Sequence, residues 1–148
     1  STLAAEMRQL KVRRVVVDSV THFREIATDP IDLRKTYRRL VSVFKREGIT
    51  AILTNEDYRL FGHQDEEAHG LSFLVDGIVL LRYVEIESGI RRAILVLKMR
   101  GSDHDKDIRQ FQVTSRGLEI ESAFQGREAV LSGSPRYTLS RRAAEVFG

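Results

Sequence analysis

The 148-residue chain contains no cysteine and only two prolines. Without a thiol there is no disulfide, no thiolate metal site and no cysteine nucleophile. No apolar run approaches the ~20 residues that span a bilayer. No secretory signal pattern is present, so a cytoplasmic location and no membrane partner are expected. Also missing is G-x-x-x-x-G-K-S/T, and none of the glycines is followed by lysine. In that motif the backbone N–H groups and the lysine supply most of the hold on the β- and γ-phosphates of a nucleotide. A chain lacking it is either no nucleoside triphosphatase or the second half of one.

What is present has the balance of an ordinary globule, with 42% hydrophobic and 30% charged residues. A chain of this length forms about one domain and buries roughly 70% of its unfolded surface. Lys and Arg number 24 against 21 Asp and Glu, a net charge of +3. So small an excess permits polyanion binding without demanding it, and nucleic acid is not the expected partner.

Arg13-Arg14-Val15-Val16-Val17-Asp18-Ser19 is the organising stretch. Its β-branched run lacks polar alternation and predicts a strand buried on both faces, central in a parallel sheet. Asp18 stands where the run stops, and ligands of open α/β sheets bind at that edge. It suits Mg²⁺ beside a nucleotide phosphate, and it equally suits a turn or helix cap. Ahead of the strand, Leu3, Met7 and Leu10 predict the buried face of a short helix that Lys11 ends. Asp29-Pro30 marks a helix start, Leu33, Tyr37, Leu40, Val41 and Phe44 its apolar face, and Gly48 its stop. Arg34, Lys35, Arg38 and Arg39 read as a solvated face. Ile49 to Thr54 predicts a second buried strand, completing a right-handed β-α-β unit. Thr54 and Asn55 then stand at a strand's carboxyl end, where they can sense a phosphate or simply open a loop.

Residues 57 to 72 form a long polar connection. Ile78 to Val84 predicts another central strand, and the sequence from Glu85 to Arg100 a hairpin turning at Ser88-Gly89. A strict two-residue period puts Ala93, Leu95, Leu97 and Met99 on one face of its second arm. Arg92, Ile94, Val96, Lys98 and Arg100 fall on the other. Lys98 and Arg100 thus leave the strand side by side, and an anion would explain both. Phe111 and Val113 mark a further strand and Leu118 to Ile120 a last short one. Periodicity fades from Ser122, giving an expected domain over 1–125 and an irregular tail over 126–148.

Several blocks carry a family resemblance. Arg14 to Thr21 resembles the Walker B strand of the KaiC branch of RecA-superfamily ATPases. Val84-Glu85-Ile86, Arg92-Ala93-Ile94, Lys98-Met99-Arg100-Gly101-Ser102, His104-Asp105-Lys106 and Ser132-Gly133-Ser134-Pro135 are similar to the second repeat of KaiC. The fold so implied is α/β: the carboxyl-terminal half of a RecA-like three-layer domain, with parallel central strands and an antiparallel hairpin extension. The resemblance implies a hexameric ring binding ATP and Mg²⁺ at subunit interfaces. Asp18 would be the Walker B acid near Mg²⁺, and Lys98 and Arg100 would reach the γ-phosphate on a neighbouring subunit. Met99, Ser102, His104, Asp105 and Lys106 would lie near the same nucleotide. Ser72 matches a phosphorylated serine of the family, whereas Phe73 stands at the adjoining threonine position. Ala129 to Thr138 resembles a channel-facing loop used by regulatory partners. Two other readings compete: a non-catalytic regulatory or assembly module, and a recombinase-like DNA-binding ATPase.

Overall fold

The computed structural model describes residues 2–56, 71–86 and 88–124, with the backbone of 127–128 and 136–137. Residues 57–70 of the long polar connection and most of the tail, including Ser132 to Pro135, lie outside the described residues. Two compact units divide the chain, one over 1–58 with 65–75, the other over 59–64 with 76–148.

The first unit runs α1 (Thr2–Gln9), β1 (Arg14–Val17), a 3₁₀ turn (Val20–His22), α2 (Phe23–Ile26), α3 (Pro30–Arg46) and β2 (Thr50–Leu53). Strong local signals fix both ends of α3. Asp29 Oδ1 accepts from the N–H groups of Ile31 and Asp32, each at 2.8 Å, and Pro30 fills the first turn. These are two donors that a helix start otherwise leaves unpaired. At the other end Gly48 takes φ +66°. Gly48 N–H then reaches the Lys45 carbonyl at 3.2 Å, and Ile49 N–H the Phe44 carbonyl at 2.9 Å. This is the paired closure of a Schellman end. Leu33, Tyr37, Val41 and Phe44 are buried as their spacing predicts. Arg34, Lys35, Arg38 and Arg39 are exposed.

Three expectations need correction. The buried positions of α1 are Ala4 and Met7, whereas Leu3 and Leu10 are exposed. The helix ends at Gln9, and Lys11 turns left-handed at φ 53°. Leu10 therefore leaves the helical stripe, while Met7 packs with Phe44 and Ile49. Next, β1 is not buried on both faces. It pairs in parallel with β2 in register Val15↔Ala51 and Val17↔Leu53, and these four residues pack on the core around Phe44. Val16 and Ile52 point the other way and are 63% and 60% exposed. Among the described residues, helices cover only one face of this two-stranded sheet.

The third correction concerns Ile78 to Val84, which does not extend the parallel sheet. It belongs to β3 (Gly77–Ile86) in the second unit, with β4 (Gly89–Met99), β5 (Arg109–Thr114) and β6 (Gly117–Ala123). These make a four-stranded sheet in the order β3-β4-β5-β6, antiparallel throughout. Ile86 pairs with Gly89, and Ser88 takes φ 61°, so β3 meets β4 at once and leaves no length for a crossover. Val84, Ile86 and Ala93 form its core, with Ile108 and Phe124 against them. Within the expected irregular tail, β7 (Arg127–Glu128) and β8 (Arg136–Tyr137) pair as a short antiparallel ladder.

One irregularity re-aims the end of β4. Ile78 pairs with Lys98 but Val79 pairs with Val96, so Leu97 is an extra residue, a β-bulge. The strict alternation breaks there. Lys98 lies across from Ile78, on the side of Leu95 and Ala93 rather than that of Ile94 and Val96. The sequence-based face for Lys98 and Arg100 is therefore inverted, although the two keep the same parity with each other.

Candidate functional site

In the first unit, parallel β1 and β2 end side by side and bring Asp18 and Thr54 together. The Thr54 hydroxyl donates to Asp18 Oδ1 at 2.5 Å. Thr54 N–H binds the Val17 carbonyl at 3.0 Å, and Val20 N–H returns to the Thr54 carbonyl at 2.9 Å. Lacing of the two strand ends continues with Glu56 N–H on Thr21 Oγ1 at 2.9 Å. Tyr37 from α3 donates to the Val20 carbonyl at 3.3 Å. The Asp18–Ser19 peptide is cis.

Asp18 and Asn55 are exposed, and Thr54 is half-buried. Ser19 is buried, and its hydroxyl has no hydrogen-bond partner among the described residues. Buried hydroxyls usually have a partner, and a water or a bound ion at this strand edge could supply one. The donors here are all oxygen: one carboxylate and short hydroxyls. Such a set fits Mg²⁺, which takes one or two carboxylates and keeps most of its water. No cluster of three or more metal-binding side chains occurs among the described residues.

The second unit presents the stretch leaving β4. Arg100 N–H continues the ladder beyond Met99 by bonding the Asp76 carbonyl at 2.8 Å. On the same side Arg100 Nη1 lies 3.6 Å from Asp76 Oδ1, the two side chains 50% and 61% exposed. Lys98 is half-buried and Met99, Ser102 and Lys106 are exposed. His104, half-buried, donates its N–H to Asp103 Oδ1 at 2.9 Å.

Asp105 is occupied by its own loop. Its Oδ1 accepts from Asp107 N–H at 2.8 Å, and its Oδ2 pairs with Arg109 Nε at 2.8 Å. The Asp107 N–H first and the Arg109 guanidinium second hold the Asp105 carboxyl below its ordinary pKa. Ser72 is half-buried in a turn in which Leu74 N–H reaches the Leu71 carbonyl at 2.9 Å. The exposed Phe73 follows it.

So the described residues gather the expected site into two groups, one in each unit. Asp18, Thr54 and Asn55 share one strand edge. Lys98 to Lys106 share the exit of β4. Ser19 and Thr21 lie in a motif that the sequence singles out, but their burial and bonding are tertiary. Asp76 had no sequence signal, because its partner is set by the β3–β4 register and the Leu97 bulge.

A model of the KaiC ATPase family matches residues 1–124. The chain belongs to the KaiC family. It is 35% identical over 146 residues to the circadian clock protein KaiC3 of Synechocystis sp., covering 96% of this chain and 28% of that protein. The circadian clock oscillator protein KaiC of Synechococcus elongatus is 35% identical over 144 residues, covering 95% of this chain and 27% of that protein. The KaiC of Acaryochloris marina is 36% identical over 155 residues, covering 99% and 29%. The chain thus spans less than a third of the length of these relatives. Its small parallel sheet and antiparallel four-stranded sheet are consistent with a fragment of a KaiC- or RecA-like domain. No described helix is long and apolar enough to cross a membrane.

Proposed function

We propose that this chain is the Walker B half of a KaiC-like ATPase domain and supplies a lysine–arginine pair to ATP held by a neighbouring copy. The observation that carries the reading is the Thr54–Asp18 hydrogen bond at the carboxyl ends of two adjacent parallel strands. That edge is where α/β folds take their ligands. Asp18 would hold Mg²⁺, directly or through water, with Thr54 orienting the carboxylate and Asn55 beside it. The metal, when bound, offsets charge on the ATP phosphates.

Lys98 and Arg100 share one parity at the exposed end of β4, which suits a joint approach to one anion. Acting in trans needs a second copy, so the reading includes self-association, as a hexamer in the cytoplasm. Met99, Ser102, His104 and Lys106 would flank the incoming nucleotide. Asp105, tied to Asp107 and Arg109, would shape that loop rather than touch the nucleotide. Ser72 would be the phosphoacceptor of an autokinase step. Phe73 has no hydroxyl, so the adjoining position cannot take a second phosphate. Regulatory partners would bind within 126–148.

The test joins this chain to a P-loop-bearing half in one polypeptide. Lys98→Ala or Arg100→Ala should lower ATP turnover on the order of 10³-fold, as loss of an arginine finger does, with ATP binding retained. Unchanged turnover in both variants would leave a non-catalytic assembly module as the better description.

A further inference from the structure

Asp76 and Arg100 face each other at the last step of the β3–β4 ladder. Three features of the backbone bring them together. Leu97, the extra residue, shifts the alternation so that Lys98 falls opposite Ile78 and Met99 opposite Gly77. Arg100 N–H then bonds the Asp76 carbonyl at 2.8 Å, continuing the pairing by one residue. Gly77 permits the approach: a Cβ there would stand 3.3 Å from Met99 Sδ. Were Leu97 paired in a regular ladder, Arg100 would be on the opposite face from Asp76.

The carboxylate contributes little to the fold. An ion pair at 3.6 Å between side chains 50% and 61% exposed is of the class that adds almost nothing measurable to stability. The strand end is already held by the backbone bond. What the carboxylate bears on is the guanidinium itself, the end of a long side chain with many rotamers. Asp76 Oδ1 meets it at Nη1.

We propose that Asp76 is a positioning residue that pre-sets the Arg100 guanidinium for a phosphate anion on a neighbouring copy. This rests on the reading of Arg100 as a trans-acting group. A group already aimed loses less freedom when the anion's charge develops, so the benefit appears in the chemical step. Asp76 acts through Arg100 and touches no reacting atom.

Two measurements test this. In the 148-residue chain, rotation of the Arg100 guanidinium about Nε–Cζ is followed by ¹⁵N NMR in wild type, Asp76→Asn and Asp76→Glu. Asp76→Asn should speed it at least threefold, and Asp76→Glu should largely restore the wild-type rate. In the polypeptide that includes the P-loop half, Asp76→Asn should lower kcat three- to tenfold with KM for ATP unchanged. In an Arg100→Ala background it should lower kcat no further.

Equal rotation rates in wild type and Asp76→Asn would overturn the proposal. So would a kcat loss of the same size with Arg100 already removed, or a loss confined to KM. If Arg100→Ala itself leaves turnover intact, the trans-acting reading fails. The rotation measurement then still decides whether Asp76 orients the guanidinium.

Discussion

Lys11 holds a backbone angle, φ 53°, that L side chains rarely adopt. It closes α1 with the same bond pair that Gly48 makes for α3: Val12 N–H to the Met7 carbonyl at 2.9 Å and Lys11 N–H to the Arg8 carbonyl at 3.1 Å. A side chain in that region costs about 1 kcal/mol relative to glycine. Lys11→Gly should therefore stabilise the chain by about that amount, seen as a raised urea midpoint with an unchanged slope. Asp105 gives a second residue-scale expectation. Its folded pKa lies below the unfolded value of 3.8, so its contribution stands in full above that pH and is lost as pH falls through the folded value. Protection of the Asp107 amide, its exchange measured against the intrinsic rate at each pH, should fall over that acid range. Asp105→Asn should abolish the response while leaving the amide already less protected at neutral pH.

Elements with local start and stop signals were legible in advance, and α3 is the clearest case. A capping Asp, a first-turn Pro, an apolar stripe and a terminal Gly act within a few residues of one another, so sequence order is enough. Asp29→Ala should cost about 1 kcal/mol in thermal or urea unfolding, because two backbone donors lose their acceptor. Pairing partners were much less legible. β1 and β3 both read as continuous apolar runs, yet one lies in a parallel pair and the other in an antiparallel sheet. An apolar run reports that a strand has two apolar faces, not which strand lies beside it. For the site, Asp18 and Thr54 were visible because both end strands. The Thr54–Asp18 bond and the Asp76–Arg100 pair join residues 36 and 24 positions apart, where no short-range pattern operates.

At the scale of the molecule, apolar surface is the conspicuous feature. The register of the four-stranded sheet puts Val79 and Leu81 on one face with Val113, Leu118 and Ile120, each about half exposed or more. Contiguous apolar surface of this kind marks an association site on most proteins. The chain should accordingly self-associate as its concentration rises, checked by sedimentation velocity. Leu81→Glu combined with Val113→Glu should shift it towards monomer with the circular dichroism unchanged. A wild-type chain that stays monomeric at high concentration would contradict this.

The supernumerary Leu97 has a consequence for how this hairpin can vary. Exchanging that leucine for another residue keeps the count along the arm, and so keeps which side the two cations leave from. Deleting it would close the bulge and leave Lys98 across from Ile78, whereas drawing it into a regular ladder would turn both cations through the sheet without altering either one. The unpaired place of that leucine is therefore the guarded quantity in this arm, and a change that pulls it into the ladder should silence the cations as completely as removing them.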